Sequence, residues 1–150
     1  MPPELRGAIY GKGWHAQPNL AMLDKGFVRY ANLPHVYRQA AIVIDDANHV
    51  TKAWGSANSS VFDALAAGCL VITNSESASL DAFNGELPIY RSNNDLAQLV
   101  AHYANDQKSR ADLQERLRNI VLARNCYSYR AFEFGLHLEW CVARKHSDSG

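Results

Sequence analysis

The chain has 150 residues, with fifteen basic and fifteen acidic side chains that cancel to no net charge. That length fits one domain able to bury roughly two-thirds of its unfolded surface, and the charge balance supplies no global field toward nucleic acid or an anionic membrane. No apolar run reaches membrane-spanning length, the N-terminus carries no signal-peptide pattern, and Cys69, Cys126 and Cys141 read as reduced core thiols of a cytoplasmic protein, not as a disulfide or metal site.

In chain order, short apolar bursts alternate with longer amphipathic stretches. The bursts are Ala8–Tyr10, Phe27–Tyr30, Ala41–Ile44, Cys69–Ile72 and Leu87–Tyr90, patterned as strands buried on both faces of a parallel sheet. Helical patterns lie between them at Leu33–Ala40, at Ser59–Ala67, in a short turn around Leu80–Phe83, and at Asp95–His102. The expected fold class is therefore α/β, a doubly wound Rossmann-like parallel sheet of about five strands with ligands at the strand C-termini. The C-terminal third is helical. Leu96, Leu99, Val100 and Tyr103 form a stripe behind an N-cap-like Asp95, and Ser109 opens a helix carrying Leu113, Leu117, Ile120 and Val121. Beyond it, Phe132, Phe134, Leu136, Leu138 and Trp140 alternate with period two, while Tyr129, Phe132, Leu136 and Trp140 also fit one helix face. Residues 1–146 are read as one domain and 147–150 as a disordered tail.

The segment Gly55–Asn74, GSANSSVFDALAAGCLVITN, carries the most chemistry. A turn of small polar residues opens a helix that stops at Gly68, and an apolar strand follows at once. Free N–H groups at a helix N-terminus form an anion site, and small side chains let a phosphate approach them. Asn58, Ser59 and Ser60 are thus candidate phosphate contacts, and Asp63 can take a hydroxyl beside them. The alternative for Asp63 is local, because Ser60-x-x-Asp63 has the spacing of a capping box. Gly11-Lys12-Gly13-Trp14-His15-Ala16 matches a dinucleotide fingerprint, yet Pro18 falls where the phosphate-binding helix should run and no acid ends the next strand. A tight turn with a solvated lysine explains those residues equally well. Asp45 and Asp46 end the third strand and read as a solvated loop, with no metal assigned. His49, Lys52 and Trp54 are placed in the loop that follows.

The run Asn58-Ser-Ser-Val-Phe-Asp-Ala-Leu-Ala-Ala-Gly-Cys-Leu-Val-Ile-Thr73, the Asp95-Leu96-Ala97 helix and Tyr127-Ser-Tyr-Arg-Ala131 resemble the C-terminal half of a GT-B glycosyltransferase, closest to the group-1, CgeB-like type. The resemblance spans roughly Ala8 to Phe134. It implies a nucleoside-diphosphate sugar as donor, an acceptor glycan or glycoconjugate, no metal and no cofactor, in polysaccharide or glycoconjugate assembly. It assigns Asn58, Ser59, Ser60 and Asp63 to the diphosphate and ribose, and Gly11, Lys12, Gly13, Ala31 and Asn32 to the base or cleft loops. Asp63 corresponds to the second of a pair of glutamates, and the last segment becomes a closing helix. Departures from the family pattern are Gly55 at the first glutamate, the shortened Asp63, and Ser60 where an arginine is common. The opening strand and helix, with an arginine and a lysine for the diphosphate, belong before Ala8. The N-terminal half that binds acceptor is expected as a separate part, so the chain alone is expected to be inactive, with its catalytic base unassigned. Two rivals remain: a non-catalytic binding module with a degenerate half fold, and a nicotinamide-dinucleotide-binding Rossmann domain.

Overall fold

The computed structural model describes residues 6–147. Helix α1 (Leu33–Gln39) leads into strand β1 (Ile42–Asp45), and helices α2 (His49–Ala53) and α3 (Ser59–Ala67) return the chain to strand β2 (Leu70–Thr73). Helices α4 (Glu76–Phe83), α5 (Asn93–Asn105), α6 (Gln107–Arg124) and α7 (Tyr127–Ser147) follow. β1 and β2 are parallel, with Ile42 opposite Leu70 and Asp45 opposite Thr73. The architecture is mixed α/β and mostly helical.

β2 is buried at every position, which is why Leu70–Thr73 reads as an unbroken apolar run. Val61, Ala64 and Leu65 of α3 pack with it, and Leu113, Leu117 and Val121 of α6 close the same core. α3 stops because Gly68 takes a left-handed conformation at φ 93°, where its N–H satisfies the carbonyls of Ala64 and Leu65. Phe62 and Phe83 stack with ring centroids 5.5 Å apart, tying α3 to α4. The helical expectations hold for α1, α3, α5, α6 and the closing α7.

The sheet is smaller than expected: among the described residues it has two strands instead of five. Leu87–Tyr90 joins β2 by a single parallel bridge, in which Thr73 N–H donates to the Pro88 carbonyl at 3.0 Å and Tyr90 N–H to the Thr73 carbonyl at 2.9 Å. The next rung would need an N–H at position 88, which proline lacks. Ile9 bridges Asp24, not the segment Phe27–Tyr30, and its N–H and carbonyl are occupied by Leu23 and Lys25. Gly26, at φ 75° with its N–H held by the Asp24 carboxylate at 2.7 Å, turns the chain before a second strand can form. Phe27 and Tyr30 are consequently exposed, and Tyr30–Asn32 forms a 3-10 turn leading into α1.

Smaller differences have local causes. α5 begins at Asn93, capped by Ser92, whose hydroxyl accepts the Asp95 N–H at 3.1 Å; Asp95 is the third helical residue and accepts the Arg91 N–H. The turn expected at Leu80–Phe83 is the end of the longer α4, capped by Ser75. Of the cysteines only Cys69 is a core thiol, and burial pushes its pKa up to about 11; Cys141 is exposed on α7. α7 runs to Ser147, and the remainder of the expected tail, 148–150, lies outside the described residues.

Because Leu117 is fully buried against β2 and α3, Leu117→Ala should cost about 2–5 kcal/mol in urea unfolding. Leu136→Ala, on a half-exposed position of α7, should change stability by about 0.5 kcal/mol or less in the same measurement.

Candidate functional site

The C-terminal ends of β1 and β2 and the start of α3 meet on one buried carboxylate. Asp45 accepts from the Thr73 hydroxyl at 2.7 Å and from the Asn58 side-chain amide at 2.8 Å, and is only 6% exposed. The expected solvated pair of aspartates is therefore corrected: Asp45 is a structural anion with two donors. Asp46 beside it is exposed and accepts from Asn74, whose other side-chain atom accepts the Ala47 N–H at 2.8 Å. Tyr90 donates to Asp46 at 3.5 Å, and burial first, then the Asp46 charge, raises its phenol pKa.

This carboxylate decides how α3 begins. Asn58 is the N-cap, a position where asparagine ordinarily accepts an N–H of its own helix. Here its amide nitrogen is drawn to Asp45 and its oxygen receives the Thr51 hydroxyl at 3.4 Å, so it makes no cap bond. The N–H groups of Ser59 and Ser60 have no hydrogen-bond partner among the described residues. The expected Ser60–Asp63 capping box is not formed, because Ser60 is already inside the helix and Asp63 lies beyond its first turn. Asp63 instead accepts from the Tyr30 hydroxyl at 3.2 Å. Its charge, and then that bond, raise the Tyr30 pKa, which keeps the phenol protonated as donor; Tyr127 adds a smaller contribution. Burial foremost, and Asp63 second, raise Tyr37 in the same direction.

The structure thus brings together Asn58, Ser59, Ser60 and Asp63, and joins them to the Tyr30–Asn32 turn that carries the exposed Ala31 and Asn32. Gly11, Lys12 and Gly13 have local partners only: Gly11 N–H bonds Gly26, and Lys12 lies 5.4 Å over the Phe27 ring. A Cβ at Gly11 would meet the Trp14 indole at 2.7 Å, which explains that glycine without a ligand. The chain continues in short 3-10 turns, Trp14–Ala16 and Ala21–Leu23, where a dinucleotide fingerprint needs a long helix. A shallow concavity lined by Gln98, His102 and Asp106 sits between α5 and α6, apart from the strand ends.

Three features escaped the sequence reading. α2 replaces the expected loop at His49–Ala53, and Asn48, which accepts the Thr51 N–H at 2.9 Å, was the available signal. Tyr30 carries the pattern of a strand residue, and nothing local announces its bond to Asp63. Thr73 looked like the last residue of an apolar strand.

A model of the glycosyl transferase-like family matches residues 1–134. The chain belongs to that family. The match takes in every element from the N-terminal turn through the first part of α7. No curated protein and no solved structure matches the chain.

In this glycosyl transferase-like domain Gly55 packs beside Ser77 at φ 65°, a conformation that side-chain-bearing residues rarely adopt. A Cβ there would make ordinary contact with Ser77 at 3.9 Å, on a strained backbone.

The central role of Asp45 has a measurable consequence. Asp45→Ala strands the Thr73 hydroxyl and the Asn58 amide, and should cost about 2–4 kcal/mol in urea unfolding. Asp45→Asn should lose about half as much, since its carbonyl still accepts from one donor and the Thr73 hydroxyl can rotate to accept from the amide.

Proposed function

We propose that this glycosyl transferase-like domain is the donor-binding half of a GT-B enzyme of the group-1, CgeB-like type, which moves a sugar from a nucleoside diphosphate to an acceptor hydroxyl in cytoplasmic polysaccharide or glycoconjugate assembly. One observation carries the reading: α3 starts with two open N–H groups, Ser59 and Ser60, and a carboxylate, Asp63, one turn along. Oriented N–H groups at a helix start stabilise the charge that grows on a departing diphosphate. Asp63 would accept hydrogen bonds from the ribose hydroxyls, and Ala31 and Asn32 would border the base. Gly11 to Gly13 would form the outer lip of the cleft. The diphosphate is neutralised by the helix dipole, so this reading uses no metal and no cofactor. Acceptor and catalytic base belong to a second α/β half.

The second reading, a binding module without catalysis, is favoured by Gly55. A position in the left-handed region has been given to glycine where the family pattern carries a glutamate. Both readings bind the nucleotide. Affinity should be on the order of 0.1–1 mM, given Asp45, Asp46 and Asp63 near the site.

Calorimetry with UDP and GDP on three proteins tests the donor-site assignment. Asp63→Ala should weaken nucleotide binding about tenfold to a hundredfold, the worth of one hydrogen bond to a charged group. Asp63→Glu, which restores the family's side-chain length, should bind as tightly as the natural chain or tighter. Thermal stability should move little in either, because Asp63 caps no helix and has a single exposed partner. Unchanged affinity in Asp63→Ala removes this residue from the site.

A further inference from the structure

Helix α7 is the one long element among the described residues that contributes nothing to the hydrophobic core. Arg130, in its first turns, is tied to Asn125 at the end of α6 at 2.7 Å, and beyond that point two apolar rows run along the helix in the open. Phe132, Leu136 and Trp140 form one row and Phe134, Leu138 and Val142 the other, all about half exposed or more. Apolar side chains gathered in this way mark a surface for another protein. The first row is also ordered. The Trp140 ring stacks on His137 with centroids 5.8 Å apart, and the Arg144 guanidinium lies 5.1 Å from its centre. A large ring held in one orientation while exposed loses little freedom on docking, which suits an interface anchor.

We propose that the Phe132–Leu136–Trp140 row is the docking surface for a second copy of this chain, the two α7 helices lying antiparallel across a two-fold axis at Leu136. Residues at i, i+4 and i+8 form the ridge by which helices most often interlock. This row runs the same distance either way from Leu136, as an isologous contact requires. About that axis Leu136 meets its own counterpart, and each Phe132 shares a layer with Trp140 of the second copy. The charges agree with this placement. Glu133 and His137 lie on one flank of the row, about 60° and 100° around the helix from Leu136. The axis sets Glu133 of each copy beside His137 of the other, within roughly 3 Å along the helix. The opposite row has the same spacing but turns Glu139 onto Gly135, so no acid–base pair forms there. With no net charge on the chain, two copies meet without global repulsion. The area is sufficient as well. Phe132, Leu136 and Trp140 expose roughly 350 Å² in each copy. With the half-buried Tyr129 and the stems of Glu133 and His137, a pair of helices would bury about 1,000 Å² in all, the lower limit of a specific interface.

The test is analytical ultracentrifugation of the full chain from about 1 to 500 µM, with helicity read by circular dichroism on each variant. The natural chain should form dimers with Kd on the order of 10–100 µM. At about 1 µM, where unfolding is read, that affinity leaves the chain monomeric, so the stability expected of Leu136→Ala stands beside it. Leu136→Asp should weaken the dimer at least about tenfold, while Leu138→Asp on the opposite row should stay within about threefold of the natural chain. Glu133→Arg should weaken it about tenfold, and Glu133→Arg combined with His137→Glu should recover it to within about threefold. Both charged positions are exposed, so this exchange reads the contact without touching the core. A chain that stays monomeric at every concentration overturns the proposal and leaves the face to a different protein. Equal losses in Leu136→Asp and Leu138→Asp overturn it too, because the association then prefers neither row. Failure of the charge exchange to recover the dimer overturns the antiparallel placement.

Discussion

The buried Asp45 carboxylate is the constraint from which the site follows. A charge taken out of water must be met by donors held in place, or the cost of desolvation is not recovered. Asp45 finds them in Thr73, at the end of the adjacent strand, and in Asn58, at the head of the helix between the two strands. Three segments far apart in sequence are thereby fixed to one point at the C-terminal edge of the sheet. Because Asn58 serves the strand carboxylate, it cannot cap its own helix, and the first N–H groups of α3 remain open. The interaction that ties these segments together is the one that leaves the first N–H groups of α3 without a side-chain cap.

The surroundings of that site are acidic as well as polar. Asp46 accepts from Asn74 and Tyr90 and Asp63 from Tyr30, while Arg91 is paired with Glu76 at 3.2 Å and Lys12 lies 5.4 Å over the Phe27 ring. The tyrosines around Asp63 hold protons more firmly than usual, so they remain donors across the physiological range.

Much of this was legible in the sequence, for physical reasons that differ by element. α3 and β2 were read closely because a glycine stop, a buried helix face and an unbroken apolar strand all agree on them. The five apolar bursts yield only two strands among the described residues because such bursts report burial and propensity but not pairing. Gly26 and Pro88 each remove a pairing opportunity through backbone geometry that such a pattern does not weigh. α7 was ambiguous for a geometric reason: at 100° per residue, Phe132, Leu136 and Trp140 fall on one side and Phe134, Leu138 and Cys141 on the other. Two opposed apolar stripes on a helix give a period of two, which mimics a strand. The candidate residues Asn58, Ser59, Ser60 and Asp63 rest on the anion-site pattern, and the structure sets them together at the head of α3. The partners Asp45 and Tyr30, and the Thr73 hydroxyl that donates to Asp45, have no signal there, since each contact spans thirteen or more positions and leaves no local trace.

The central claim is that an uncapped α3, held by Asp45, receives a nucleoside diphosphate at the strand ends. A crystal structure of the chain with UDP tests it most directly. The account predicts phosphate oxygens within hydrogen-bond distance of the Ser59 and Ser60 N–H groups, with the Asp45–Asn58–Thr73 contacts intact. A UDP molecule seated in the α5–α6 concavity, or an Asn58 side chain swung back to cap α3 and close those N–H groups, would contradict it.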